Sequence, residues 1–406
     1  NMSKKIIVQK FGGTSVGSPE KIKAVANRTS KLLDDNKSLV IVVSAMGNTT
    51  NQLVNLAKEI TTEPSPREYD ALVSTGENVS ASLLAMSFQS LGINAISLTG
   101  AQAGILTQDL HAKAKILTIK TERIQKELNN NKVVIITGFQ GINPNSDITT
   151  IGRGGSDTSA VALAAALECE ECEIYTDVDG VYTTDPRKVK DAQKLTEVSY
   201  EEMLEMASLG AKVLHPRAVE CAKENNIILH VRSSFELTEG TRVKEANELE
   251  VNKPVTGVAV KENEAIISMI GVPDTPGIAG EIFSELANNG INVDMIIQNV
   301  LEKTDSNNIS FSIAEDDLDQ TKKITESIAN KLNCKLLTDT SIAKISCVGI
   351  GMISKPGTAS KMFTALGQNN INILRITTSE IKISCAIKQQ DAQKALEILH
   401  NEFELA

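Results

Sequence analysis

Tryptophan is absent from the 406 residues, and eight Phe with four Tyr bring the aromatic share to only 3%. Aliphatic side chains must therefore fill the cores, and the stacking platforms that hold single-stranded nucleic acid are not expected. Positive charge is also short: 41 Lys and Arg face 51 Asp and Glu, a formal net charge of −10. So acidic a chain has no overall attraction for a nucleic acid, and any anionic ligand must meet a local cluster of cations. No stretch reaches the ~18 consecutive apolar residues of a spanning helix, and no signal-peptide order of charged, apolar and small residues follows Met2. No membrane partner and a cytoplasmic location are expected. Six cysteines (169, 172, 221, 334, 347, 385) show no framework spacing, and the CxxC of Cys169 and Cys172 lacks the second pair or histidine that a zinc site needs. It reads as filler at a helix end. His111, His215, His230 and His400 form neither metal-ligand spacing nor a catalytic triad.

What is present is ordinary globular composition, 41% hydrophobic and 23% charged, in a length that predicts two to four domains at ~100 to 200 residues each. The β-branched run ending at Lys10 enters a glycine turn and reads as a buried strand. Ser18-Pro19 then caps a helix. SLVIVVSAMG (38–47) is a second buried strand, followed by helical patterns over 53–60 and 68–91. Further strands are expected at 94–98, 132–137, 172–176 and 227–231, several apolar on both faces as a covered parallel sheet requires. To about Phe235 the chain reads as one α/β domain. Residues 236–253 are charged and aperiodic, a linker with room for one strand. Beyond lies an internal repeat: residues 271–292 align without gaps on 351–372, identical at nine of 22 positions including Pro276-Gly277 and Pro356-Gly357. Each copy reads strand, turn, amphipathic helix, strand, and a paired regulatory or dimerising module is the natural interpretation.

Three glycine-rich turns follow expected strands: KFGGTS (10–15), SAMGNTTN (44–51) and GRGGSD (152–157). Glycines there let backbone N–H groups approach an anion. GRGGSD precedes the helical run TSAVALAAAL, so Gly154, Gly155 and Ser156 are placed to present N–H groups to phosphate. Plain chain reversal is the alternative for each turn taken singly; with Lys10 and Arg153 embedded in two of them, a phosphate site is favoured. Neither GxxxxGK[ST] nor GxGxxG occurs, which excludes a Walker loop and a standard dinucleotide fold. In IYTDVDGVYTTDPR (174–187), Asp177, Asp179 and Asp185 suit turns, water-mediated Mg²⁺ binding or ribose contacts, and Tyr182 suits either an adenine pocket or core packing. Lys212, in GAKVLHPRA (210–218), has solvation as its alternative.

Taken in order, KFGGTS, VVSAMGNTTN, STGE, GFQG, GRGGSDTSAVALAAAL, TDVDGVYTTDPR and GAKVLHPRA resemble the aspartate kinases of the amino-acid kinase family over nearly the whole chain. The resemblance implies a catalytic domain (2–235) with an αβα sandwich around a mainly parallel sheet, a linker (236–262), and two α+β ACT domains (263–340 and 341–406), one of which is inserted into the other in relatives. It implies ATP-dependent phosphorylation of the aspartate side-chain carboxylate to 4-phospho-L-aspartate, opening lysine, threonine and methionine biosynthesis. By resemblance, Lys10 contacts the transferred phosphoryl group, and Phe11, Gly12 and Gly13 shape the nucleotide-side turn. Ser44, Thr50, Glu77, Phe139 and Arg153 surround aspartate, Arg153 clamping a carboxylate and Glu77 pairing the α-ammonium. Ser156 and Asp157 lie beside both substrates, and Thr176, Asp177, Tyr182, Arg187, Lys212 and Val213 form the nucleotide pocket.

The same resemblance implies ATP and Mg²⁺ as cofactors, with no protein ligand assigned to the metal. It also implies a homo-oligomer, dimer or tetramer, built through the ACT domains. Feedback by lysine, threonine or both falls to one site with Asp274, Gly277, Ile278, Ala279, Gln298, Asn372 and Ile373. A second site has Asn292, Val293, Asp294, the 354–359 loop, Ser379 and Glu380. A purely structural role for these residues is the alternative. For the whole chain the alternatives are a sister kinase of another small acid and a non-catalytic amino-acid sensor. The missing histidine base fits a kinase of carboxylates: a side chain with a pKa near ~4 is ionised at pH 7 and attacks phosphorus without proton removal.

Overall fold

Runs without polar alternation become interior strands. In chain order the first part contains β1 (Lys5–Phe11), α1 (Pro19–Ser30), β2 (Lys37–Val43), α2 (Thr49–Ile60), α3 (Pro66–Val73), α4 (Thr75–Ser90), β3 (Ala95–Leu98), β4 (Ile105–Thr107) and β5 (Ile116–Ile119). There follow α5 (Glu122–Asn129), β6 (Val133–Thr137), β7 (Gln140–Ile142), β8 (Ile148–Thr150), α6 (Gly155–Ala166), β9 (Glu171–Thr176), β10 (Glu197–Ser199), α7 (Tyr200–Ser208), α8 (Pro216–Asn225), β11 (Ile228–Ser233) and β12 (Thr241–Lys244). The computed structural model describes residues 4–33, 36–208, 213–246, 251–300 and 306–406. These fall into two compact units, Asn1–Tyr182 with Lys194–Glu250, and Thr183–Gln193 with Val251–Ala406.

The first unit is an αβα sandwich. Its sheet has the order β10-β12-β11-β9-β1-β2-β6-β3, and only the β11–β12 pair is antiparallel. All five residues of β6 are buried, as a parallel sheet covered on both faces demands. Along β1 and β2 the faces alternate: Phe11, Leu39, Ile41 and Val43 pack with α1 and α4 residues such as Val25, Leu84 and Phe88, while α6 covers the other side of β1, β2 and β9. Ser18 caps α1 by accepting the Lys21 N–H (3.3 Å), with Pro19 in the first turn. The helical pattern over 68–91 divides into α3 and α4, because the hydroxyls of Ser74 and Thr75 bond back to Ala71 C=O (3.0 Å) and Leu72 C=O (2.7 Å) and compete with the helix ladder. A second sheet, β5-β4-β7-β8, was not expected; its strands of three or four residues are too short to display a period. The charged stretch after Phe235 supplies one strand, β12, and Thr241 on it is fully buried beside β11.

The second unit comprises β13 (Gly257–Pro273), α9 (Ile278–Asn288), β14 (Asp294–Val300), β15 (Ser306–Ala314), α10 (Leu318–Leu332), β16 (Lys335–Val348), α11 (Thr358–Gln368), β17 (Arg375–Thr378), β18 (Lys382–Lys388) and α12 (Ala392–Glu402). They form an antiparallel sheet of order β14-β15-β13-β16-β18-β17. The sequence repeat is visible in the backbone: Gly277 and Gly357 sit at φ 95° and 96° before helices of 11 residues each, a conformation that glycine adopts at no steric cost. The repeats are interleaved rather than consecutive. Gly257–Lys261 pairs with Lys344–Val348, next to β18, whereas Ile266–Ile270 pairs with Lys335–Asp339 on one side and with β15 on the other. Strand β16 therefore passes through residue 340 without a break. One core joins Ile267, Met269 and Phe311 to α9 and α10, and the other joins Val258, Ile345 and Cys385 to α11 and α12.

Candidate active site

The sheet order reverses direction at β1, which has β2 on one side and β9 on the other. Ligands of open α/β sheets bind outside the carboxyl ends of the strands at such a switch point. Lys10 is the penultimate residue of β1, and its Nζ lies 2.5 Å from Asp157 Oδ1 in the first turn of α6, with the two side chains only 12% and 13% exposed. Phe11 closes the other face, stacked on Tyr175 at 4.6 Å.

The turns are bonded into one surface. Ser44 N–H donates to Phe11 C=O (3.1 Å), Gly47 N–H to Gly13 C=O (2.9 Å) and Gly138 N–H to Val43 C=O (3.0 Å). A Cβ on Gly13 would stand 2.9 Å from Ala45 O, and one on Gly138 2.7 Å from Ser156 Oγ, so glycine at both lets neighbouring strand ends meet. Phe139 holds φ at 72°, uncommon for a side chain of its size, and its ring abuts Gly155. Gly154, at φ 72°, begins α6 with the His215 ring directly against it. One expectation is narrowed: Gly155 N–H bonds to Gly152 C=O (3.0 Å) and is not available to a ligand.

Glu77 is the most unusual member. The break before α4 brings Gly76 against Ala45 and buries the Glu77 side chain in the first turn, 3% exposed. Burial pushes its carboxyl up to about 7, against the pull of the Glu77 and Ala45 backbone N–H groups. Its Oε2 has no hydrogen-bond partner. Beside it, Ser80 donates to Ser44 C=O (2.6 Å), and Thr50 is half-buried at the start of α2. Arg153 is exposed on its loop. At the end of β9, Thr176 donates to Asp177 Oδ1 (3.1 Å). Tyr182 donates to Asp179 Oδ1 (2.8 Å), and Asp179 Oδ2 pairs with Lys194 at 3.3 Å; burial, then the Asp179 bond, pushes the phenol up to about 12.

Arg187 belongs to the Thr183–Gln193 segment of the second unit and grips Asp185 bidentately at 3.0 and 2.9 Å. Val213 is half-buried, and Lys212 falls outside the described residues. Cys169 and Cys172 are free thiols whose burial pushes their pKa values up, that of Cys169 to about 11, and they have no reactive character. Sequence reasoning missed Asp70, a fully buried carboxylate that accepts from Thr150 Oγ1 (2.6 Å), Thr150 N–H and Ala112 N–H. It fixes the strand leading into GRGGSD, and its only signal was an acid inside an apolar helical pattern. Among the described residues one trio has metal-ligand geometry, Glu171, Glu173 and His230. Arg242 already pairs with Glu171 at 3.0 Å and Arg232 with Glu173 at 3.6 Å. Those ion pairs already neutralise both carboxylates of the trio.

In the second unit, Asp274 accepts from Asn307 Nδ2 (2.8 Å) just before Gly277, Ile278 and Ala279 at the head of α9. Gln298 lies exposed on the edge strand β14; Asn372, exposed, and Ile373 precede β17, the opposite edge. Asn292 is exposed, Val293 packs into the α9/α10 core, and Asp294 pairs with the buried Lys344. Ser379 N–H donates to Lys382 C=O (2.8 Å), and Glu380 is exposed.

Glycine turns, a largely buried lysine and a buried carboxylate with one unpartnered oxygen at a switch point define an α/β site built to hold an anion beside a small cationic group. Residues 5–233 match the amino acid kinase family, and residues 265–332 and 345–403 match ACT domains. The chain is 52% identical over 402 residues to an aspartokinase of Bacillus sp. (strain MGA3), covering 99% of this chain and 98% of that one. It is 50% identical to aspartokinase 2 of Bacillus subtilis (strain 168), with coverage of 99% and 98%. The structure of E. coli aspartokinase III with aspartate and ADP (R-state) matches with a TM-score of 0.78 at 26% identity, covering 98% of this chain and all of that one. The chain belongs to the amino acid kinase family, on its aspartokinase branch. No helix among the described residues is long and apolar enough to cross a membrane.

Proposed function

We infer that the protein transfers the γ-phosphoryl group of ATP to the side-chain carboxylate of L-aspartate. One carboxylate oxygen forms the new O–P bond as the bond from phosphorus to the bridging oxygen of ADP breaks, yielding 4-phospho-L-aspartate and ADP. No base is required, because the nucleophile is ionised at neutral pH. What is required is cancellation of charge between two anions. Lys10 serves this at the phosphoryl group, held in place by Asp157; Arg153, exposed on its loop, reaches a substrate carboxylate, where a planar guanidinium binds two oxygens at once. Ser44, Thr50, Phe139 and Ser156 shape the aspartate pocket, and Phe11, Gly12, Gly13, Thr176, Asp177, Tyr182, Arg187, Lys212 and Val213 serve the nucleotide. Mg²⁺, when bound, would be held chiefly by phosphate oxygens of ATP and by water, and would offset the charge of the phosphates.

The observation that carries this reading is Glu77: a carboxylate 3% exposed with an unpartnered oxygen has the energetics of half an ion pair awaiting an ammonium. Trapping with hydroxylamine tests it. ATP with aspartate should give a hydroxamate and ATP with glutamate or N-acetylglutamate should not; the reverse preference would assign the site to a sister kinase. The ACT domains bind lysine, threonine or both and join subunits into a dimer or tetramer, with Asp274, Asp294 and their neighbours as the effector contacts.

A further inference from the structure

Strand β8 leads directly into the turn that carries Arg153, and the backbone at that junction is held from several sides within the first unit. Thr150 donates to Asp70 with both its N–H (3.0 Å) and its hydroxyl (2.6 Å). Ile151 N–H donates to Phe139 C=O (2.9 Å), and Gly155 N–H closes the turn on Gly152 C=O (3.0 Å). Arg153 is the exposed tip of this turn, and the glycines on either side of it sit at φ 85° and 72°.

The carbonyl of Ile151 is held from far along the chain. Arg217 Nη1 donates to it at 2.6 Å. Arg217 stands in the first turn of α8, where its own N–H is accepted by His215 Nδ1 (3.3 Å). The His215 ring lies against Gly154, and a Cβ on Gly152 would stand 3.5 Å from Arg217 Nη1. The head of α8 thus packs on both glycines that flank Arg153. Arg217 is half-buried, and its bond to the carbonyl is charge-assisted, roughly twice as strong as a neutral one. Because a peptide group is planar, fixing the Ile151 carbonyl also fixes the direction in which the chain enters Gly152. Glycine, with the widest choice of φ, cannot hold that direction by itself.

We propose that Arg217 is a positioning residue for aspartate: by pinning Ile151 C=O it aims the turn from which Arg153 reaches the substrate. The inference rests on the reading of Arg153 as the clamp on a substrate carboxylate and goes beyond it by naming what sets the clamp. Arg217→Met keeps the stem and removes the donors. It should raise the KM for aspartate about tenfold, the scale of one charged hydrogen bond, with the KM for ATP within twofold of wild type. Arg217→Lys, which retains a donor, should recover most of the loss. Arg153→Met should raise the KM for aspartate further than Arg217→Met does. Adding Arg217→Met to Arg153→Met should then change it by less than about twofold, because a residue that acts through Arg153 has nothing left to act on. In the ligand-free chain, amide hydrogen exchange over residues 150–157 should be about tenfold faster in Arg217→Met than in wild type, as expected when a local anchor is lost.

Equal changes in both KM values, additive effects of the two substitutions, unaltered exchange over 150–157, or a lowered melting temperature with the KM for aspartate unchanged would each overturn the proposal. Arg153→Met separates it from the reading beneath it. If that variant keeps the wild-type KM for aspartate, Arg153 does not hold the substrate and both fail; if it raises the KM while Arg217→Met does not, the proposal alone fails.

Discussion

Glu77→Gln should make the protein more stable and less able to bind its substrate. The wild-type carboxyl is raised from 4.5 to about 7, burial being the larger cause. A shift of some 2.5 units corresponds to about 3 kcal/mol. Between those two values the folded chain binds more protons than the unfolded one, so stability falls as pH rises from about 4.5 through 7. Glutamine keeps an oxygen for the backbone N–H groups and carries no charge. In the absence of ligand at pH 8 the variant should therefore exceed wild type by about 3 kcal/mol, several degrees in the transition of a unit this size, and the gap should close near pH 4.5. The same change should raise the KM for aspartate by about ten- to a hundredfold, the scale of a charged hydrogen bond. In the wild-type enzyme the KM for aspartate should climb as pH drops through about 7. Calorimetric melting at pH 5 and 8, with steady-state kinetics, reads all of this. A variant equally stable or less stable at pH 8, or a stability gap that ignores pH, would refute the view of Glu77 as a buried charge awaiting its partner.

Lys10→Ala should lower kcat by about a thousandfold or more, as expected when a donor to developing charge is lost, while circular dichroism stays that of wild type; near-normal turnover would dismiss the role. Gly138→Ala places a methyl 2.7 Å from Ser156 Oγ, which should cost about 1 to 3 kcal/mol of stability, and Ser156→Gly in the same chain should recover part of the lost melting temperature. Asp274→Ala, which releases Asn307, and Asp294→Ala, which leaves Lys344 buried without its partner, should each weaken inhibition by lysine, threonine or their mixture. Absence of any effect of either amino acid on wild-type rate or melting would end the regulatory assignment.

Much of this site was legible because its parts are local. A β-branched run before KFGGTS places Lys10 at a strand end, and GRGGSD before an alanine-rich helix places Asp157 in a first turn; both follow from periodicity and turn chemistry. Their 2.5 Å contact spans 147 positions of sequence, and nothing short of the sheet order predicts it. The same limit explains Asp70, whose partners Ala112 and Thr150 are remote in sequence, and the interleaving of the repeats, which depends on how β13 and β16 pair. Local competition was misjudged once, where Ser74 and Thr75 turn one long helix into two and thereby aim Glu77.

The central claim is that a substrate carboxylate attacks phosphorus directly, and isotope transfer tests it most sharply. With aspartate carrying ¹⁸O in its side-chain carboxylate, hydroxylamine cleaves the acyl C–O bond of the product and releases phosphate with the former carboxylate oxygen attached. One ¹⁸O in the phosphate per turnover is the expected result. Unlabelled phosphate formed at the rate of ADP release would mean that water, not aspartate, is the nucleophile, and would contradict the account.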